Sequence, residues 1–246
     1  MRTYLSFTII FLIQASLFAQ IKLKANQMEG YVISSESSRK EVIIEVEDIN
    51  FPWAFQQNVK YYDKSLLAGG RVKREDKKLC VPGVIVEFGT QKRKFIFVNH
   101  SAKVSSNKNK LNAAISKFKE DENTDFFSEV IHDGKIQLLK FYNIPEISDA
   151  DYDNEAIIQT CINDSNEKFD ILLAKKGFSP KSVSDLNFNK FFDECPAVLN
   201  KFEHGEYDIK PSKGLKAFFG KEGLSGLKLE MAVNEIIQDY EENCGK

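Results

Sequence analysis

An acidic run at residues 149–155 is the part of the sequence whose residue types and spacing come nearest to a known chemical site. Its carboxylates recur at alternate positions: Asp149, Asp151 and Asp153. This is how a calcium-binding loop opens, because hard cations prefer clustered oxygen ligands. The sixth position, however, is Asn154 where the loop has Gly, and the twelfth is Thr160 where it has a bidentate Glu. We therefore predict a solvated acidic loop, with a calcium loop as the alternative.

Histidines are the usual general bases of catalysis, and the chain has three of them. They are His100, His132 and His204. None belongs to an H-E-x-x-H motif or has a second histidine three to five residues away. The Gly-Leu-Ser-Gly run at residues 223–226 does not match a nucleophile elbow either, because its second glycine comes one position too early. We therefore predict no catalytic residue and no cofactor.

The first nineteen residues have the three-part pattern of a secretory signal peptide. Arg2 gives the start a positive charge, residues 5–13 are mostly apolar, and the small Ala19 precedes the expected cleavage point. The apolar core is too short to span a membrane, which requires about 20 apolar residues. We expect residues 1–19 to be removed on export and the mature chain to have no transmembrane span. The protein is then periplasmic, surface-associated or secreted.

The charges of the whole chain are nearly balanced, with 34 Lys and Arg against 36 Asp and Glu. This balance gives no general electrostatic reason to bind nucleic acid or an anionic membrane. Basic residues do cluster between positions 71 and 78, but acids interrupt them and they lack the interleaved aromatics of a single-strand nucleic-acid platform. We interpret this cluster as solvated surface and expect no nucleic-acid partner.

Runs of β-branched and aromatic residues predict hairpins in the first two thirds of the chain. The runs within residues 30–47 and 84–98 are each divided by a short polar or Gly-containing stretch. A third hairpin is predicted within residues 126–142, around Asp133 and Gly134, because Asp-Gly is a favoured pair for a two-residue hairpin turn.

Helical periodicity appears once inside this region and then dominates the end of the chain. Apolar residues three and four apart predict a helix near 110–120 and a final helix over 229–240. Strands first and helices last predict an α+β fold, with an antiparallel sheet or partial barrel built from hairpins. We expect residues 20–178 to form a β-rich domain and residues 179–246 to form a helical region packed on its sheet.

Four cysteines remain after the predicted signal: Cys80, Cys161, Cys195 and Cys244. An even number in an exported chain favours two disulfides, because the compartments outside the cytosol are oxidising. Three pairings are possible from the sequence. No C-x-x-C spacing occurs, so the sequence gives little support to a thioredoxin-like or zinc-binding motif.

Three blocks of the chain resemble a loose family of small exported proteins from Gram-negative bacteria whose function is not established. They are a Gly-Tyr strand soon after the signal (residues 30–33), a long hairpin (126–142), and a Glu-Cys-Pro segment (194–196) followed by a closing helix of the form I-I-x-x-Y-x-x-x-C (236–244). The resemblance implies no catalytic residues. It implies a disulfide between the two matching cysteines, Cys195 and Cys244, which leaves Cys80 with Cys161.

An export signal and stapling cysteines without a catalytic motif indicate an exported envelope protein. We predict a non-enzymatic binding or structural module whose partner is an envelope protein or ligand. One alternative is an exported hydrolase of a fold not recognised here, with His132 and the carboxylates of the acidic loop as its chemical groups. Another is a module stabilised by calcium bound at residues 149–155.

Overall fold

The computed structural model describes residues 23–36, 38–69, 72–99, 125–175, 178–183, 186–207 and 226–245. The predicted signal peptide and the predicted helix near 110–120 lie outside these residues. Within them, no helix has both the length and the apolar character needed to cross a membrane.

Ten antiparallel strands of the described chain form one sheet. They are β1 (Gln27–Ser34), β2 (Arg39–Glu45), β3 (Lys60–Asp63), β4 (Lys78–Leu79), β5 (Ile85–Thr90), β6 (Lys94–Asn99), β7 (Asp125–Asp133), β8 (Ile136–Tyr142), β9 (Phe169–Lys175) and β10 (Phe178–Ser182). Their order across the sheet is β10-β9-β8-β7-β6-β5-β1-β2-β3-β4. The sheet is open, with β10 and β4 at its edges, and with its helices it confirms the predicted α+β class.

All three predicted hairpins are present. β1 pairs with β2, β5 with β6, and β7 with β8, each in antiparallel register. β7 runs to Asp133, so the turn before β8 consists of Gly134 and Lys135. The predicted boundary between residues 178 and 179 falls inside β10, which pairs with β9.

The half of the sheet formed by β5, β1, β2, β3 and β4 curls strongly around its core. Residues 80–84 join the end of β4 to the start of β5 and can span about 21 Å at most. In a flat sheet the four strand spacings between β4 and β5 alone amount to about 19 Å. The register adds about 24 Å along the strands, because Leu79 is level with the first residue of β1 and Ile85 with its last. A flat arrangement is therefore excluded by the length of the connection.

Four α-helices are described: α1 (Glu155–Glu167), α2 (Phe188–Phe191), α3 (Pro196–Glu203) and α4 (Gly226–Cys244). The Asn154 side chain caps α1 by accepting the N–H groups of Ala156 and Ile157. α3 begins with Pro196. Proline is well tolerated there, because the backbone N–H of the first helical residue makes no hydrogen bond within the helix. Within the described ranges, three short 3-10 helices lie between strands, at Pro52–Phe55, Lys64–Gly69 and Arg74–Asp76.

The main hydrophobic core contains residues of the sheet together with residues of α1, α3 and α4, and α4 contacts both β9 and the other two helices. Phe88 and Phe95 stack at 4.9 Å in its first half, and Phe192 meets Tyr240 edge-on in its second. A smaller apolar cluster lies apart from this core and contains Val98, Leu139, Leu172 and Ala174. The C-terminal helix thus packs against the sheet through the main core.

Candidate functional site

The end of α4 is fastened to the start of α3 by a disulfide between Cys195 and Cys244. Cys195 immediately precedes α3 and is fully buried, while Cys244 is the last residue of α4. Their Cα atoms are 5.7 Å apart, within the usual range for a bridge. The structure therefore contains the pairing that the resemblance implied.

A hydrogen-bonded cluster beside the disulfide strengthens the same junction. The Tyr240 hydroxyl donates to the carboxylate of Glu194, and Lys175 of β9 lies 3.1 Å from that carboxylate. Burial and the nearby Glu194 raise the pKa of Tyr240, while the hydrogen bond from Tyr240 lowers the pKa of Glu194. These contacts connect α4, the Cys-Pro segment and the sheet.

The structure corrects the second implied pairing, because Cys80 and Cys161 are free thiols. Cys80 follows β4 and is buried, with its N–H bonded to the carbonyl of Val59 at 2.8 Å. Burial raises the pKa of the Cys80 thiol to about 12, so it stays protonated. Cys161 lies half-buried in the middle of α1, a helix that the sequence analysis did not predict.

The three aspartates of the acidic run are not brought together as a cation site. Asp149, Asp151 and Asp153 lie in turns before α1, and Asp151 accepts a hydrogen bond from the Ser148 hydroxyl at 2.6 Å. In the described part of the chain, no group of three or more His, Cys, Asp or Glu is arranged to hold a metal ion. Asn154, the sixth residue of the supposed loop, serves as the cap of α1. The run therefore begins a helix.

The two histidines that the structure describes have no catalytic partners. His132 Nε2 lies 3.8 Å from Glu241 Oε1, beyond hydrogen-bond length. That carboxylate instead accepts the backbone N–H of Lys135 at 2.8 Å and so holds the β7–β8 turn against α4. His204 Nδ1 lies 2.8 Å from the carbonyl of Asn200, one helical turn earlier. His100 and the Ser of residues 223–226 lie outside the described residues.

Sequence reasoning missed a largely buried charged network in the main core. Arg93 donates two hydrogen bonds to Glu129, at 2.7 and 2.9 Å, and the Tyr142 hydroxyl donates a third at 2.6 Å. The Arg93 guanidinium lies 4.3 Å from the centre of the Phe55 ring. Burial, with the charge of Glu129, raises the pKa of Tyr142. Both oxygens of the Glu129 carboxylate thus accept hydrogen bonds from within the protein.

A second ion pair lies in the same region, and its two charged groups bind each other. Lys140 Nζ is 2.6 Å from Glu230 of α4 and 4.1 Å from the centre of the Phe169 ring. The strand register places Lys140 opposite Glu129, so positive and negative groups alternate across β7, β8 and α4. Because each charge has an opposite charge as partner, we assign these groups to the joining of sheet and helix.

The cavity described in the core has no polar lining residue that could act on a ligand. It lies between β9, the segment that contains α2, and α4, and apolar side chains alone line it. They include Leu173, Val183, Phe188, Val233 and Ile236. A void of this kind lacks the polar groups that orient a substrate.

Three aliphatic side chains are exposed together where the chain leaves edge strand β4. Leu79 is 47% exposed, Val81 44% and Val84 58%. Between the two valines, Pro82 and Gly83 form the centre of a turn closed by the Val84 N–H and the Val81 carbonyl at 3.1 Å. Gly83 has φ 83°, as the third residue of a type II turn requires. We call residues 79–84 the apolar turn.

Backbone hydrogen bonds hold the apolar turn rigidly from both sides. The Ile85 N–H donates to the Val81 carbonyl at 2.8 Å, and the Ser35 N–H donates to the Val84 carbonyl at 2.9 Å. Cys80, between the exposed residues, is anchored in the core. The three aliphatic side chains are therefore presented to solvent by a fixed backbone.

Exposed cations lie near the apolar turn in the chain, but the strand register places Lys60 and Lys78 on opposite faces of the β3–β4 ladder. Lys60 lies opposite Leu79 in the β3–β4 register, Lys78 is the preceding residue of β4, and Arg74 lies in the adjacent 3-10 helix. None of the three forms a salt bridge to another residue of the described chain. Two neighbouring lysines do form salt bridges: Lys73 pairs with Glu75 at 3.3 Å, and Lys77 pairs with Glu45 at 2.6 Å. The exposed aliphatic side chains of the apolar turn are therefore a candidate functional surface.

No family model matches the chain, and no curated protein or solved structure matches it either. Function must therefore be argued from the chain's own geometry.

Proposed function

We propose that this protein is an exported, non-enzymatic binding module of the cell envelope and that the apolar turn is its binding surface. The observation that carries the proposal is the exposure of Leu79, Val81 and Val84 on one braced turn. Contiguous exposed apolar surface on a folded protein often marks an interaction site. Membership in the family of small exported proteins belongs to the same proposal, which the Cys195–Cys244 bridge supports.

One further observation favours binding over catalysis, and a second supports export. The internal carboxylates of Glu129 and Glu230 are each paired with a cation, so neither is poised as a general base. A disulfide that joins two helices suits an oxidising compartment and hence export. The hydrolase and calcium alternatives gain no comparable support, because neither His132 nor the acidic run is placed in a suitable cluster.

Retention of the exported protein in the envelope fraction tests the proposal. We expect the wild-type protein to remain with washed envelopes, and Val84→Asp to release most of it, because a charge at the tip opposes burial in a partner. Met231→Asp is the matched control, since Met231 is 66% exposed on α4, a different surface. Equal retention of all three proteins, each folded by circular dichroism, would refute the proposal.

A further inference from the structure

The two halves of the Cys195–Cys244 bridge differ in their access to solvent. Cys195 is 0% exposed and is part of the main hydrophobic core, where its backbone N–H donates to the carbonyl of Phe192 at 2.8 Å. Cys244 is only partly buried and packs against that core. A reagent in solution therefore cannot reach Cys195 in the folded protein, whereas part of Cys244 is open to it.

The surroundings of Cys244 are polar and exposed. It is the last residue of α4, and Glu242 and Asn243 before it are exposed. The exposed Lys135 of the β7–β8 turn lies beside it, with Nζ 3.5 Å from the Cys244 carbonyl oxygen. Glu241 adds a negative charge close to this lysine, whose backbone N–H its carboxylate accepts at 2.8 Å. A molecule that approaches Cys244 therefore meets hydrated side chains and does not have to open the core.

We infer that thiol–disulfide exchange enters this protein at Cys244 and that the partner it fits is a reactive thiolate, carried by a small thiol or by a disulfide oxidoreductase. The attacking thiolate forms a bond to the Cys244 sulfur, the Cys195–Cys244 bond breaks, and Cys195 leaves as a thiolate that takes a proton from water. One disulfide is lost and one mixed disulfide forms, so this step needs no oxidant. A second thiol then attacks the mixed disulfide at the partner's sulfur, which leaves Cys244 as a thiol and the partner as a disulfide. The same steps in reverse form the bridge.

The structure also gives Cys195 a role in this exchange. The two Cα atoms are 5.7 Å apart although 49 residues separate the cysteines in the chain, because α3 and α4 pack against each other. A released Cys195 therefore stays beside the mixed disulfide, and its effective concentration, far above that of a thiol in solution, favours attack on the Cys244 sulfur. Cys195 is then the resolving thiol, which recloses the bridge and expels the partner.

Two single variants of the mature chain test the inference with glutathione disulfide as the probe. In Cys195→Ala, we expect Cys244 to take up glutathione and to keep it, because the resolving thiol is absent. In Cys244→Ala, Cys195 should stay unmodified in the native protein. Both variants should react alike in denaturant, which controls for the intrinsic reactivity of the two thiols. Mass spectrometry of tryptic peptides locates the adduct, since all four cysteines lie in different peptides.

A measurement on the wild type covers the case in which a single variant does not fold. Glutathione is added to the oxidised mature chain, and the exchange is then stopped with acid, which protonates the thiolates. The adduct should lie on Cys244. A dithiol oxidoreductase whose second cysteine is replaced by Ser, used in place of glutathione, should be trapped at Cys244 if the partner is a protein and should not react if it is a small thiol.

Glutathione on Cys195, equal adducts on both cysteines, or no adduct on Cys244 would overturn the inference. So would equal reaction of Cys195 and Cys244 in single variants that circular dichroism shows to be folded. Neither experiment involves the apolar turn, so their failure would leave the proposed binding function standing.

Discussion

Removal of the Cys195–Cys244 bridge should destabilise the protein by a large and calculable amount. The two cysteines are 49 residues apart in the sequence. In the chain-entropy model, releasing a loop of that length costs about 4 kcal/mol of unfolding free energy at 25 °C. Each kcal/mol shifts the melting temperature of a domain of this size by about 2–4 °C. The double variant Cys195→Ala/Cys244→Ala should therefore melt about 8–16 °C below the wild type.

Thermal unfolding followed by circular dichroism, with and without reductant, measures this shift. Reductant should lower the wild-type midpoint towards that of the double variant and leave the double variant unchanged. The variant Cys161→Ala is the matched control and should not respond differently from wild type, because Cys161 is a free thiol. If neither reduction nor the double substitution moved the midpoint, the bridge would not fasten α4 as described.

Three further perturbations test the other parts of the structure. Glu129→Gln should cost about 3 kcal/mol in urea unfolding, because it leaves the guanidinium of Arg93 without its buried anion; unchanged stability would mean that the network is not formed. The pKa of Glu194 is lowered in the folded protein, so its contribution to stability is present above the pKa of an unfolded glutamate, about 4.3, and is lost as pH falls below that value. Glu194→Gln should accordingly flatten the acid side of the stability profile, and a profile identical to wild type would contradict that assignment. Neither calcium nor a chelator should move the melting temperature, because Asp149, Asp151 and Asp153 are not clustered; a shift with calcium would restore the calcium-stabilised alternative.

The local parts of the fold could be predicted from the sequence because their signals are local. The β5–β6 and β7–β8 hairpins follow from paired apolar runs around short turns, and α4 follows from an apolar stripe at helical spacing. The helix α1 was missed although Ile157, Ile158, Cys161 and Ile162 recur at helical spacing, because this stripe is short and polar residues fill the rest of the segment. Asn154 could have indicated the start of this helix, because Asn is a favoured N-cap residue. The sequence analysis instead compared it with the Gly at the sixth position of a calcium loop.

The candidate surface depends on contacts that no short window contains. The sequence analysis placed Val84 in a strand, whereas β5 begins at Ile85 and leaves Val84 on the turn. Its exposure results from the curl of the sheet, which brings the end of β4 close to the start of β5. The Arg93–Glu129 pair likewise depends on the β6–β7 register across 36 residues. Of the basic cluster that was expected at the surface, Lys73, Arg74 and Lys78 are exposed, whereas Lys77 is mostly buried against Glu45.

Photo-crosslinking from position 84 in exporting cells is the most direct test of the apolar turn as the binding surface. A photoreactive residue in place of Val84 should crosslink to an envelope lipid or protein, while the same residue in place of Met231 should give little product. Such a result would identify the partner together with the surface. Equal labelling from both positions, or no product from position 84 in a folded, exported protein, would contradict a binding role for the apolar turn.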